Sequence, residues 1–361
     1  MEKMSYADFI ITHHDNAAYN NMLTSCMIDL TYRCSNNCVH CYCVDNNSDK
    51  SCEMNTEKIK SILDELKSLG CLWLSFSGGE PFLRKDFMEI YLYAKKLGFI
   101  ISIMTNATLI TEEIAQTLSK YKPIQINVSI YGSNEKTYEA VSRVKGTFNK
   151  FRNGIFLLKK YGLNVQLQTI LMSVIKDDLF NIQKFSKENG FGYCKFDPFL
   201  FNDIYRTQKS YPYRMRPEQI VQLETSDKSR ESSWMRFSQK VKEHGFKNAE
   251  KPTDCCSTAG ISKIHIDPYG NIMGCNLLRE PCFNLNDYSL AEAREKLMES
   301  LSNILSKKYR DDFKCRECDV RLYCNCCPGV SYIENNNYYS KSQYACEIAH
   351  MRDKIFNNKG V

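Results

Sequence analysis

Met27-Ile-Asp-Leu-Thr31-Tyr-Arg-Cys34-Ser-Asn-Asn-Cys38-Val-His-Cys41 is an apolar run that leads straight into a loop with three thiols. Residues 27–31 read as a buried strand, and the cysteines follow in a C-x3-C-x2-C spacing. Three thiols are one short of the four ligands that close a structural zinc site. A 4Fe-4S cluster held by three thiolates, in contrast, keeps one iron open to another molecule. His40 or Cys43 as a fourth ligand would restore a zinc site, and a set of buried thiols is a further option. The spacing alone leaves these alternatives open.

Outward from this stretch, apolar or β-branched runs recur at 72–77, 100–105, 124–130, 165–171 and 194–199. Helical patterns separate them. The clearest begins near Asn55 or Thr56, places Ile59, Ile62, Leu63, Leu66 and Leu69 on one face and stops at Gly70. Gly98, Gly162 and Gly190 are expected to end later helices. Six strand–helix alternations predict an α/β fold of parallel strands joined by right-handed crossovers, either an open doubly wound sheet or a partial barrel.

The ends of these strands carry the polar groups. The second strand runs into Ser77-Gly78-Gly79-Glu80-Pro81, where paired glycines permit close backbone approach and a carboxylate can accept hydrogen bonds from an ammonium group. The third ends at Thr105-Asn106 and the fourth at Ser129, offering hydroxyl and amide groups suited to a ribose. Singly, each is an ordinary turn residue. Delivered together to one rim, they form what ligand sites of parallel α/β folds require.

The chain of 361 residues is long enough for a large α/β domain with a smaller module. No apolar run reaches the 18 or so residues of a membrane span, and the N-terminus lacks the basic-then-apolar layout of a secretory signal, so a cytoplasmic protein is expected. Its +6 formal charge is spread out, without the basic blocks of nucleic-acid-binding arms. Eighteen cysteines in such a chain suggest metal ligation rather than disulfides, and ten of them fall between Cys255 and Cys346. That stretch, with turns such as Asp267-Pro-Tyr-Gly-Asn271, reads as a second, metal-dense module after a polar connecting region.

Residues 24–200 resemble the radical S-adenosylmethionine core, on the joint evidence of the cysteine motif, Gly78-Gly79-Glu80-Pro81, and the stretch from Ser129-Ile-Tyr-Gly-Ser-Asn to Val144-Lys-Gly-Thr-Phe. The resemblance implies a partial (β/α)6 barrel in which Cys34, Cys38 and Cys41 bind a 4Fe-4S cluster. It implies that Gly78, Gly79 and Glu80 hold the amino group of S-adenosylmethionine, with Thr105, Asn106 and Ser129 on the ribose side. Arg143 stands where many relatives carry a base for the methionine carboxylate. The C-terminal part resembles the SPASM domain, which implies two auxiliary 4Fe-4S clusters. Cys315, Cys318, Cys324 and Cys346 fit one. Cys255 or Cys256, Cys275, and Cys326 or Cys327 fit the other, with Cys282 as a possible fourth ligand. The family's C-x3-C element would put a thiol at 328, where Pro328 stands, so one assignment stays open. A single zinc held by Cys315, Cys318, Cys324 and Cys346 is the alternative.

The resulting domain reading is an N-terminal segment at 1–23, a radical S-adenosylmethionine core at 24–205, a connecting helical region at 206–254, a SPASM-like auxiliary domain at 255–350 and a tail at 351–361. The implied activity is reductive cleavage of S-adenosylmethionine to a 5′-deoxyadenosyl radical that modifies a ribosomally made peptide by crosslink, thioether or epimerisation. Formylglycine formation, as in anaerobic sulfatase maturation, is a second reading. Those enzymes carry an Asp where Asn276 stands, and an amide cannot serve as a base. A non-catalytic iron-sulfur redox protein is a third, disfavoured by the Gly-Gly-Glu-Pro strand end. Expected partners are a peptide or protein substrate and an electron donor such as flavodoxin or ferredoxin, with no nucleic acid and no membrane. The short stretch before Met27 suggests that a separate protein, or the C-terminal half, recognises any leader peptide.

Overall fold

The computed structural model describes residues 21–43, 50–248, 258–304, 315 and 318–357. Six strands, β1 (Ser25–Asp29), β2 (Trp73–Ser77), β3 (Ile100–Thr105), β4 (Gln125–Ser129), β5 (Val165–Ile170) and β6 (Lys195–Asp197), pair in sequence order, each parallel to the next. Doubly wound sheets reverse their strand order at a switch point. Here the order runs without reversal from β1 to β6, so every right-handed crossover returns over the same face and the sheet curls as a partial barrel.

The crossovers are α1 (Thr56–Ser68), α2 (Phe87–Leu97), α3 (Glu112–Lys120), the pair α4 (Glu135–Ser142) and α5 (Thr147–Lys160), and α6 (Leu179–Glu188). Their starts and stops follow local chemistry. Asn55 caps α1 by accepting from Lys58 N–H at 2.9 Å, and Ile59, Ile62, Leu63 and Leu66 are buried beneath it. The four glycines expected as helix stops all take positive φ, Gly98 as a left-handed C-cap at 95°.

The strands alternate in burial rather than being buried on both faces. Leu74, Phe76, Ile101, Ile103, Ile126, Val128 and Leu167 are buried within the core that the helices cover. The opposite face carries Ser75, Ser102, Met104, Asn127, Ser129 and Gln168, all half-buried, and Ser75 and Ser102 share a hydrogen bond of 2.7 Å across adjacent strands. A polar inner face leaves room inside the curl, whereas an apolar one would collapse onto itself.

The connecting region forms α7 (Pro217–Ser226) and α8 (Lys228–Asn248). The C-terminal part then rejoins the core. Strand β7 (Lys263–Ile266) pairs parallel to β1, with Ser25 opposite Lys263, and β8 (Asn271–Met273) and β9 (Phe283–Asn284) continue antiparallel into one nine-stranded sheet. Helices α9 (Leu290–Ile304), α10 (Pro328–Asn335) and α11 (Gln343–Arg352) complete it. No helix among the described residues is long and apolar enough to cross a membrane.

Candidate active site

The thiol loop leaves β1 and is stitched to the loop after β2. Leu30 N–H donates to Ser77 O at 3.0 Å, Gly79 N–H to Thr31 O at 2.7 Å and Glu80 N–H to Arg33 O at 3.0 Å. The approach is so close that a Cβ on Gly78 would lie 2.3 Å from Thr31 O, and one on Gly79 2.1 Å from Arg33 O. This is the physical reason for the paired glycines. The base of the loop is held by buried Arg84, which donates to Leu30 O and Met54 O at 3.0 Å each and pairs with Asp86 at 2.6 Å.

Cys34, Cys38 and Cys41 line one wall of a cavity of about 380 Å³, and Ser77, Gly78 and Gly79 line another. Thr105, Asn106 and Ser129 reach it from the ends of β3 and β4. Eight of the ten residues expected in the core site therefore converge on one chamber, within the size range of small-molecule and cofactor sites. Cys34 Sγ accepts N–H bonds from Asn36 and from the Asn106 side chain, each at 3.4 Å. Burial pushes the Cys34 thiol up to about 12, with the Glu80 charge adding to it, and burial raises Cys38 as well. Alone these groups hold their protons. A bound cationic metal centre would displace the protons and neutralise the thiolates, so the donor set suits an iron-sulfur cluster and the cavity suits a ligand on its open side.

The other two residues lie elsewhere. Glu80 is fully buried beside the cavity rather than on its wall. Its carboxylate accepts from Thr105 Oγ1 at 2.8 and 2.9 Å, Asn106 N–H at 2.8 Å and Phe82 N–H at 3.2 Å, and so ties the end of β3 to the glycine loop. Arg143 is exposed as the left-handed C-cap of α4, with its guanidinium on Tyr213 Oη at 2.6 Å, and it is not among the cavity's lining residues.

Several lining residues were not expected from the sequence. Gln168 and Asp197 come from the inner faces of β5 and β6, Tyr131 follows β4, and Asn276 and Leu277 come from the C-terminal part. The available signal was the polar residue at every second strand position. His40 Nδ1 is buried without a partner, its ring meets Tyr131 edge-on at 5.0 Å, and burial lowers its pKa to about 4, so the imidazole is neutral. A second chamber of about 490 Å³ shares His40, Ser129, Tyr131, Gln168, Ile170 and Asp197 with the first and extends to Lys195 and Arg230.

In the C-terminal part, Cys315 feels the charges of Cys326, Cys318 and Cys346, Cys324 those of Cys326, Cys346 and Cys315, Cys326 those of Cys327 and Cys346, and Cys275 that of Cys327. Cys282 sits apart, against Glu280, Asp267 and Arg279. Cys255 and Cys256 lie outside the described residues. The described cysteines are thiols rather than disulfides. Among the described residues, no group of three or more His, Cys, Asp or Glu side chains is already drawn together around a metal position, at the core thiols or in the C-terminal part.

Residues 28–182 match the model of the Radical SAM superfamily. The AdoMet-dependent heme synthase of Methanosarcina barkeri is 27% identical over 343 residues, covering 88% of this chain and 94% of that protein. The antilisterial bacteriocin subtilosin biosynthesis protein AlbA of Bacillus subtilis is 24% identical over 331 residues, 87% of this chain and 69% of that protein. Among solved structures, Streptococcus suis SuiB bound to precursor peptide SuiA superimposes with a TM-score of 0.69 at 15% identity, over 96% of this chain and 82% of that one, a likeness of fold.

Proposed function

We propose, on the premise that this chain belongs to the radical SAM superfamily and is an enzyme of it, that its substrate is a ribosomally made peptide. In this reading Cys34, Cys38 and Cys41 hold the 4Fe-4S cluster, and S-adenosylmethionine lies between them and the Gly78-Gly79 backbone. Bound there, the two groups would supply reductive cleavage of the sulfonium and, through it, hydrogen abstraction from carbon. The chain's part is to position the reactants and exclude water. Thr105, Asn106 and Ser129 face the nucleoside, Glu80 sets the positions of the first two, and Asn276 with Leu277 covers the chamber.

The observation that carries the peptide reading is the character of the chamber wall. Among the described lining residues, the inner cavity has no lysine or arginine, and His40 is neutral. It opens along the inner faces of β5 and β6 into a second chamber, a path that suits an extended chain offering amides to Gln168 and Asn276. The similarity to AlbA, a bacteriocin biosynthesis protein, and to SuiB with its bound precursor peptide supports it.

The length of the similarity to the heme synthase favours a second reading, reaction on a tetrapyrrole side chain. Several tetrapyrrole carboxylates would need cationic partners. The cations facing the chambers are Lys195 and Arg230, in the outer one, and Arg230 is already engaged by Glu224 and Phe196 O.

The test is an anaerobic assay with dithionite and S-adenosylmethionine, offering either the precursor peptide encoded beside the gene or iron-coproporphyrin. The peptide should change mass and raise 5′-deoxyadenosine output, and a chain with Cys34, Cys38 and Cys41 all replaced by Ala should make none. Loss of carbon dioxide from the porphyrin, with the peptide unchanged, would overturn the reading.

A further inference from the structure

β6 is an edge strand of the nine-stranded sheet, and alternation along the chain puts Lys195, Asp197 and the preceding Tyr193 on one face. All three are exposed and line the outer chamber. Asp197 also lines the inner, thiol-walled chamber, whereas Tyr193, at the far end of the row, also lines a third cavity of about 440 Å³ against α8. The row therefore runs outward from the cofactor site, with Asp197 at the junction and Lys195 next.

The cations along this path differ in what holds them. Arg230 gives Nε and Nη2 to Glu224 Oε1 at 3.2 and 3.1 Å and Nη1 to Phe196 O at 3.2 Å. Arg352, in the third cavity, is bound twice by Glu224 and once by Tyr323 O. Lys195 Nζ meets no carboxylate among the described residues. Asp197 Oδ1 accepts from Phe199 N–H at 2.9 Å. An acid of the substrate is thus favoured beside Lys195 and opposed beside Asp197. Two residues of strand span about 6.6 Å, as do two residues of an extended peptide lying along it. A carboxylate over Lys195 therefore belongs to a residue at least two positions from the one that enters the inner chamber past Asp197.

We propose that Lys195 is a specificity-determining residue, which pairs with an Asp or Glu of the peptide at least two positions from the residue modified, and that Asp197 keeps such an acid out of the inner chamber. The pairing rests on the substrate being a peptide. A lysine on an edge strand also guards against strand pairing between chains, a role that acts on solubility and leaves KM untouched.

The experiment uses the reconstituted full chain with the precursor peptide encoded beside the gene, and with peptides in which each Asp and Glu in turn becomes Lys. Lys195→Gln should raise KM for the parent peptide by about fivefold, and Lys195→Glu by about tenfold or more, with the loss in KM rather than in kcat. One acid-to-lysine peptide should be a poor substrate of the parent chain and a good one of Lys195→Glu, a reciprocal rescue that a misfolded variant cannot give. Equal KM in all three chains, or a loss that no peptide rescues, would overturn the pairing and leave the peptide reading intact. A parent chain that leaves every peptide unchanged would overturn the peptide reading, and the pairing with it.

Discussion

Glu80 illustrates how a residue's type can be legible while its task is not. Gly-Gly-Glu-Pro marks a strand end with a carboxylate, and the family resemblance assigns that carboxylate to an ammonium group. In the fold its accepted bonds come from Phe82, Thr105 and Asn106, and burial raises its pKa from the ordinary 4.5 to about 7. Replacement by Ala removes charge-assisted bonds worth about 1.5–3 kcal/mol. Those bonds hold the end of β3 to the glycine loop, so Glu80→Ala should lower the denaturation midpoint and, by releasing Thr105 and Asn106, weaken S-adenosylmethionine binding, measured by equilibrium titration. The raised pKa has a sign that can be tested in the cluster-free chain. Folded Glu80 keeps its proton to a higher pH than unfolded Glu80, so the associated stability is complete below about pH 4.5 and is lost as pH rises through about 7. Urea titrations should show the parent falling relative to Glu80→Gln by about 3 kcal/mol across that window, and parallel profiles would refute the link.

At the scale of elements, the site is a seam between two loops. The backbone bonds that join Thr31 and Arg33 to Gly79 and Glu80 leave no space for a Cβ at Gly79. Gly79→Ala must push against the Tyr32–Arg33 backbone, an overpacking that costs about 1–3 kcal/mol. It should lower the denaturation midpoint and reduce core iron, and a variant with both unchanged would show that the seam can relax. The strands themselves were readable: 100–105 coincides with β3, and the other five runs overlap β1, β2, β4, β5 and β6. Their inner faces were the harder part. Read as apolar runs, they hide the serines, Gln168 and Asp197, whose side chains face inward only once the sheet curls.

For the molecule as a whole, the C-terminal part is built into the core's sheet through β7 and β1, and buried His265 meets Asp29 there at 2.8 Å. A second tie joins α7 to α11. Glu224, fully buried, accepts from Arg352 twice at 2.8 Å and from Arg230 at 3.1 and 3.2 Å. Removing one partner of a buried pair strands the other charge, at a cost of about 3–5 kcal/mol. Glu224→Ala should destabilise the chain by that amount in chemical denaturation and open residues 343–352 to hydrogen exchange. Replacing Glu224 by Leu and Arg352 by Met together should recover part of the loss, and no recovery would mean that the helices depend on the charges themselves.

By itself the sequence determined the parallel α/β class, the order of strands and helices, and the concentration of thiols at two places. Each follows from signals local to a few residues: apolar periodicity, glycine stops and cysteine spacing. Periodicity left an open sheet and a partial barrel both open; the family resemblance implied the barrel, and the unbroken strand order bears it out, since curling depends on which strands pair. Tertiary structure alone set Glu80 behind the cavity wall, left Arg143 on the surface and brought Asn276 into the thiol-lined cavity. It also set the Cys327 thiol as the cap of α10, because the direction of a side chain is fixed by the helix that begins beside it and by what that helix packs against.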